Sequence, residues 1–171
     1  MLAEVAAAVQ SDAEADVLVE AAEILVAERA RVRLRDRWRP GTSVRITTIL
    51  GESIVGRVRS SGPQMVVLDG VDRECHAIAY SGIVRVEGVG PALRLEEGPE
   101  LRVQLTWATW LRRMEVIMLQ CRDGWRQMLR VNSVGSDHFD GFAEDGLLQA
   151  FPFSGLVQAT ARDSQRSSPL P

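Results

Sequence analysis

A chain of 171 residues with 46% hydrophobic and 25% charged residues has ordinary globular composition and room for one domain or two very small ones. Its net charge of -3 and sequence pI of 5.5 exclude a protein that coats nucleic acid or anionic membrane indiscriminately, because such binding needs surplus Lys and Arg. The first residues lack a basic region, Glu4 interrupts them, and no apolar run is long enough to span a bilayer, so a cytoplasmic protein without membrane contact is expected.

Ser11-Asp-Ala-Glu14 has the form of a capping box, in which the serine caps the helix start and the glutamate reaches back. Leu18, Ala21, Ala22, Leu25, Arg29 and Val32 follow at helical spacing, and Pro40-Gly41 ends the pattern. Residues 1–41 are therefore expected to form a long capped amphipathic helix. In 42–88, the segments 43–50, 53–59, 64–69, 74–77 and 83–87 cluster or alternate apolar and β-branched residues between turn signals. Their connections are too short for crossover helices, so the strands pair as an antiparallel meander. Closure into a small barrel is expected because it removes edge strands.

Gly90-Pro91 and Glu96-Glu-Gly-Pro99 mark 89–100 as a linker. In 101–113, Val103, Trp107, Trp110 and Leu111 make a second helical stripe, with both tryptophans assigned to the core. A second barrel at 114–161 and a Ser- and Pro-rich disordered tail at 162–171 complete the chain.

Shifting the sequence by about 73 residues lays 44–84 on 117–157 without a gap. Gly51 then meets Gly124, Arg57-Val58 meets Arg130-Val131, and Ser60 and Gly62 meet Ser133 and Gly135. Tyr80-Ser-Gly-Ile-Val84 meets Phe153-Ser-Gly-Leu-Val157, and Arg39 falls on Arg112. Tandem duplication of one helix-plus-barrel unit explains a register that keeps turn glycines and strand apolars together.

The opening Val44-Arg-Ile-Thr-Thr-Ile-Leu-Gly51, then Ser53-Ile-Val-Gly-Arg-Val58, Met65-Val-Val-Leu-Asp-Gly70, His76-Ala-Ile78 and Ile83-Val-Arg-Val86 resemble the Sm and Sm-like family, which includes the bacterial host-factor RNA chaperone. The whole chain also resembles a group of short actinobacterial proteins, which implies no activity. The Sm-like resemblance implies a helix followed by five bent antiparallel strands, and assembly by pairing the fourth strand of one barrel with the fifth of its neighbour. The aromatic-x-Met-Asn segment and the Arg-Gly pair of RNA-binding members are not present; the closing turns read Tyr80-Ser81-Gly82 and Phe153-Ser154-Gly155. The expected fold is thus α+β and mainly β, with two tandem helix-plus-five-stranded antiparallel small barrels of Sm-like or SH3-like type and a long N-terminal helix.

Arg29, Arg31, Arg33, Arg35, Arg37, Trp38 and Arg39 are the candidate nucleic-acid contacts, through guanidinium forks on phosphates and Trp38 stacked on a base. The competing reading is a solvated helix end, because acidic residues fill the first half of the segment and arginines the second, as the helix dipole favours. Trp125 follows the hairpin Gly124 and is expected at a loop tip as a surface anchor. His76, His138, Cys75 and Cys121 fit no nucleophile, metal or phosphate-loop motif, so no enzyme, cofactor or metal site is expected. Two functions remain: a non-catalytic module binding RNA or other nucleic acid through the arginine-rich segment, or a protein-protein interaction and assembly module that binds none. Homo-oligomerisation through barrel edge strands is compatible with either.

Overall fold

The computed structural model describes residues 32–90 and 105–162. Five strands form in the first half: β1 (Ser43–Thr48), β2 (Ser53–Ser61), β3 (Met65–Asp69), β4 (Glu74–Ala79) and β5 (Ile83–Glu87). Five more form in the second: β6 (Val116–Cys121), β7 (Arg126–Val134), β8 (His138–Phe142), β9 (Leu148–Pro152) and β10 (Leu156–Arg162). The β1–β2 and β6–β7 hairpins turn at Gly51 and Gly124, whose φ angles of 80° and 86° lie where a side chain would be strained.

The pairings among the described strands are all antiparallel and join them into one ten-stranded sheet in the order β5-β1-β2-β3-β4-β10-β6-β7-β8-β9. Each half contributes the same internal order, fifth strand then first to fourth. Irregularities recur at matched places too. The β2–β3 ladder shifts between Val58 and Ser60 and the β7–β8 ladder between Val131 and Ser133. Likewise, the β1–β5 shift between Thr47 and Thr48 is matched by the β10–β6 shift between Leu156 and Gln158.

The sheet corrects the expected pair of closed barrels. Closing the first would require β5 to pair with β4, but the second edge of β4 is occupied by β10, from Gln158 opposite Ile78 to Arg162 opposite Glu74. The helices are corrected as well. The described end of the 1–41 segment is not α-helical: Leu34–Arg37 makes one 3-10 turn, and the Asp36 carboxylate accepts from the Arg33 N–H at 2.9 Å, a local bond that competes with helix continuation. The capping box at Ser11 lies outside the described residues. Among the described residues of 101–113, α1 (Trp107–Leu111) is the helical segment, started by a reciprocal cap between Thr106 and Thr109. Residues 101–104 also lie outside the description.

Burial explains why the sheet does not come apart at its middle. In β3, Met65, Val66, Val67 and Leu68 are all buried, so both faces of the strand are covered, as a continuous apolar run requires. Met65 and Val67 join Cys75, Ala77 and Ala79 of β4 in a core with Ile117, Leu119, Leu129 and Phe139 of the second half. The tryptophans of α1, Trp107 and Trp110, meet edge to face with centroids 6.2 Å apart in the same core. Val66 and Leu68 alternate onto the other face, where Val44, Ile46, Ile54 and Val58 are buried.

Replacing the fully buried Leu119 by Ala should cost about 2–5 kcal/mol. Urea unfolding at fixed protein concentration is expected to remain one transition for wild type and variant, because a shared core couples the halves. Two separated transitions, with only one moved by Leu119→Ala, would contradict the continuous sheet.

Candidate functional site

Two places in the sheet are candidate sites: the β4–β10 seam and the two strands that end it. Within the seam, Ala159 opposes Ala77 and Ala161 opposes Cys75, and these small buried residues face the common core. The alternate residues face the other way. Thr160 pairs with His76 on one side and Met118 on the other, and Met118 pairs with Met128. Laterally paired residues share a face, so His76, Thr160, Met118 and Met128 form one row across four strands.

That row lines a groove of 880 Å³. His76 is only 9% exposed, and its Nδ1 lies 3.0 Å from Thr160 Oγ1. Burial pushes its pKa below the usual imidazole value, and Glu74, 3.6 Å from Nε2, opposes the shift without overcoming it. Gly70 makes room for the ring: a Cβ there would collide with Nε2. Gln158, 7% exposed, donates to Thr160 Oγ1 at 3.2 Å while its Oε1 has no hydrogen-bond partner. Its cross-strand partner Gln120 donates to Glu52 Oε1 at 2.9 Å and likewise leaves Oε1 unpaired. An unmet buried acceptor costs roughly 1–3 kcal/mol, so the polar side of this seam is kept at the expense of stability. Arg126 reaches the same Glu52 oxygen at 3.1 Å, tying the β1–β2 turn to β7.

The sheet ends at β5 and β9. Among the described residues each is hydrogen-bonded to one neighbour, β1 or β8, and its other edge meets no described strand. Exposed apolar side chains gather there: Val84 on β5, Leu148 on β9, and Leu147 just before it. Pro152, which has no N–H to give a ladder, stands at the end of β9.

The candidate contacts from sequence are dispersed. Arg29 and Arg31 lie outside the described residues. Arg33 gives its backbone N–H to Asp36 while its side chain is exposed, Arg35 Nε lies 3.6 Å from the Asp36 carboxylate, and Arg37 donates to the Gly90 carbonyl at 3.0 Å. Trp38 is buried and stacked on Tyr80 with centroids 6.4 Å apart, so it is not placed to stack on a base. Arg39 lies close under Gly90, its guanidinium carbon 3.7 Å from where a Cβ would stand. Trp125 is half-buried, with its ring centroid 5.2 Å from that of Phe151, and packs against the core instead of standing clear at a loop tip.

His138 is exposed, and its bond to Asp137 raises its pKa while lowering that of Asp137. Cys121 is pushed up to about 11 by burial and by Asp123, which keeps it a thiol at neutral pH. Among the described residues no group of three or more His, Cys, Asp or Glu lies close enough to hold a metal, and no helix is long and apolar enough to cross a membrane. Edge strands as assembly surfaces, and fourth-to-fifth pairing as an implication of the Sm-like resemblance, are expected from the sequence; the polar row of His76, Thr160 and Gln158 along the β4–β10 seam is not. Comparison with family models, with curated proteins and with solved structures finds no match.

Because the folded-state pKa of His76 lies below the ordinary 6.5, the unfolded chain takes up this proton first as the pH falls. The stability it contributes is complete above that value and lost as pH drops from 6.5 toward the folded value. His138 acts with the opposite sign, but equally in both proteins when wild type is compared with His76→Gln. Between about pH 7.5 and 5, the unfolding midpoint of wild type should fall further than that of the variant. Equal falls would mean that His76 is not desolvated in the seam.

Proposed function

We propose that this chain is a non-catalytic assembly module that forms head-to-tail homo-oligomers, β9 of one copy pairing with β5 of the next as β4 pairs with β10 within the chain. The observation that carries this reading is a difference in burial at matched positions. Val157 of β10 is 0% exposed, and Val84, its counterpart in β5, is 66% exposed. Cys75 of β4 is 1% exposed, and Leu148, its counterpart in β9, is 54% exposed. The same places are dry where an edge is partnered and wet where it is not. Exposed apolar residues on an unpaired edge are a cost to a monomer and a template for association.

The β4–β10 ladder also gives the register. Carried to the free edges, it sets Arg85 opposite Phe151, Val86 opposite Ala150 and Glu87 opposite Gln149. Pro152 then falls one residue beyond the ladder, where its missing N–H does no harm. The recurrent strand order and matched bulges support a duplicated unit, and the Sm-like resemblance points the same way, since its members pair fourth strand to fifth. Because the two edges differ, the contact is heterologous, and the rotation per copy decides between a closed ring and an open filament.

Light scattering at tens of micromolar should give a mass of several chains, and Val84→Lys or Leu148→Lys should each return it toward monomer. Mixing those two variants is the sharper test. The first keeps a sound β9 and the second a sound β5, so the mixture should form a dimer that grows no further. A monomer at every concentration for the wild type, or a mixture that stays monomeric, would overturn the reading.

A further inference from the structure

We infer that the groove on the outer face of the seam is a binding site for an uncharged aromatic molecule carrying an N–H donor. The groove is distinct from the open edges and would be present in a single copy. Its volume of 880 Å³ is within the range of small-molecule sites, about 300–1,000 Å³. Its walls are apolar and partly wet: Val55, Val71, Val116 and Met128 line it and are all exposed. With Met114 and Met118 the lining holds three thioethers, and sulfur makes favourable contacts with aromatic ring edges.

Charge selects the class further. The lining carries Glu52, Glu74 and Glu115 against Arg113, Arg126 and Arg162, three of each sign, so its net formal charge favours neither an anion nor a cation. Its least exposed polar groups are neutral: the buried Gln158 amide and His76 ring, the latter held below its usual pKa, and the half-buried Thr160 hydroxyl. Gln158 is more than nine-tenths buried and its Oε1 lacks a partner. Turning the amide toward the groove gives up only the 3.2 Å bond to Thr160 and presents an acceptor to a ligand N–H. No copy of this polar set exists at the free edges. The matched residues of the second fourth strand and the first fifth strand are Gln149 for His76, Arg85 for Gln158 and Glu87 for Thr160. The chemistry is particular to the internal seam.

The test uses N-phenyl-1-naphthylamine, a neutral aromatic with one N–H that fluoresces when it leaves water. Its sulfonated analogue, 1-anilinonaphthalene-8-sulfonate, serves as the charged control. The full chain should bind one neutral probe per chain with a Kd of about 1–100 µM, and the anionic analogue about tenfold more weakly, because a sulfonate must be desolvated in a cleft whose formal charges sum to zero. Met128→Glu and Val116→Asp alter exposed side chains that the fold tolerates, and should weaken the neutral probe at least about tenfold. Gln158→Leu should weaken it by roughly three- to tenfold while leaving the unfolding midpoint equal or higher, since it removes an unsatisfied amide. Val84→Lys and Leu148→Lys at the edges should leave the titration unchanged. Non-saturating fluorescence, equal affinity for the two probes, or binding indifferent to Met128→Glu and Val116→Asp would overturn the site.

Discussion

The pairing of β4 with β10 is the constraint from which the rest of the molecule follows. A fourth strand has two edges to satisfy; giving the outer one to the second half, instead of to β5, turns two five-stranded sets into one sheet. That choice buries β3 and β4 on both faces and supplies the second half with part of its core in Met65, Val67, Cys75, Ala77 and Ala79. It also leaves β5 and β9 as the ends of the sheet among the described residues. Open edges are therefore the consequence of the internal join, not a separate feature of the fold.

The two faces of the join do different things. Toward the common core, alanines and a cysteine meet at close range, where apolar burial of about 25 cal/mol per Å² holds the halves together. On the outer face, a histidine, two glutamines and a threonine occupy places that apolar residues would fill at lower cost. A polar stripe with unmet acceptors along a largely buried strand pair is a departure from what stability alone favours.

Much of the sheet was legible before its coordinates. The alternation in Ser43–Thr48 and Ser53–Ser61, the turn glycines Gly51 and Gly124 and the ungapped internal register fixed strands and hairpins locally. What failed were the inferences that depended on distant partners. Nothing in 34–39 announces that Trp38 packs on Tyr80, so the arginine run read as a free helical surface, whereas Asp36 and Pro40-Gly41 end any helix there. The stripe at 101–113 exaggerated a helix that a Thr106 cap starts late and that ends at Leu111. The open sheet did leave a trace: Met65-Val-Val-Leu68 and Cys75-His-Ala-Ile-Ala79 lack the polar alternation of a barrel wall with one wet face, and two-sided burial is the physical meaning of that run.

Whether the internal join is also the intermolecular one can be read directly from backbone amide hydrogen exchange of the four strands over a dilution series. If β9 pairs with β5 between copies as β4 pairs with β10 within one, the outward amides of β5 and β9 will be protected at high concentration and exchange freely on dilution, while β4 and β10 stay protected throughout. Rapid exchange along β5 and β9 at every concentration would mean that the sheet simply ends there.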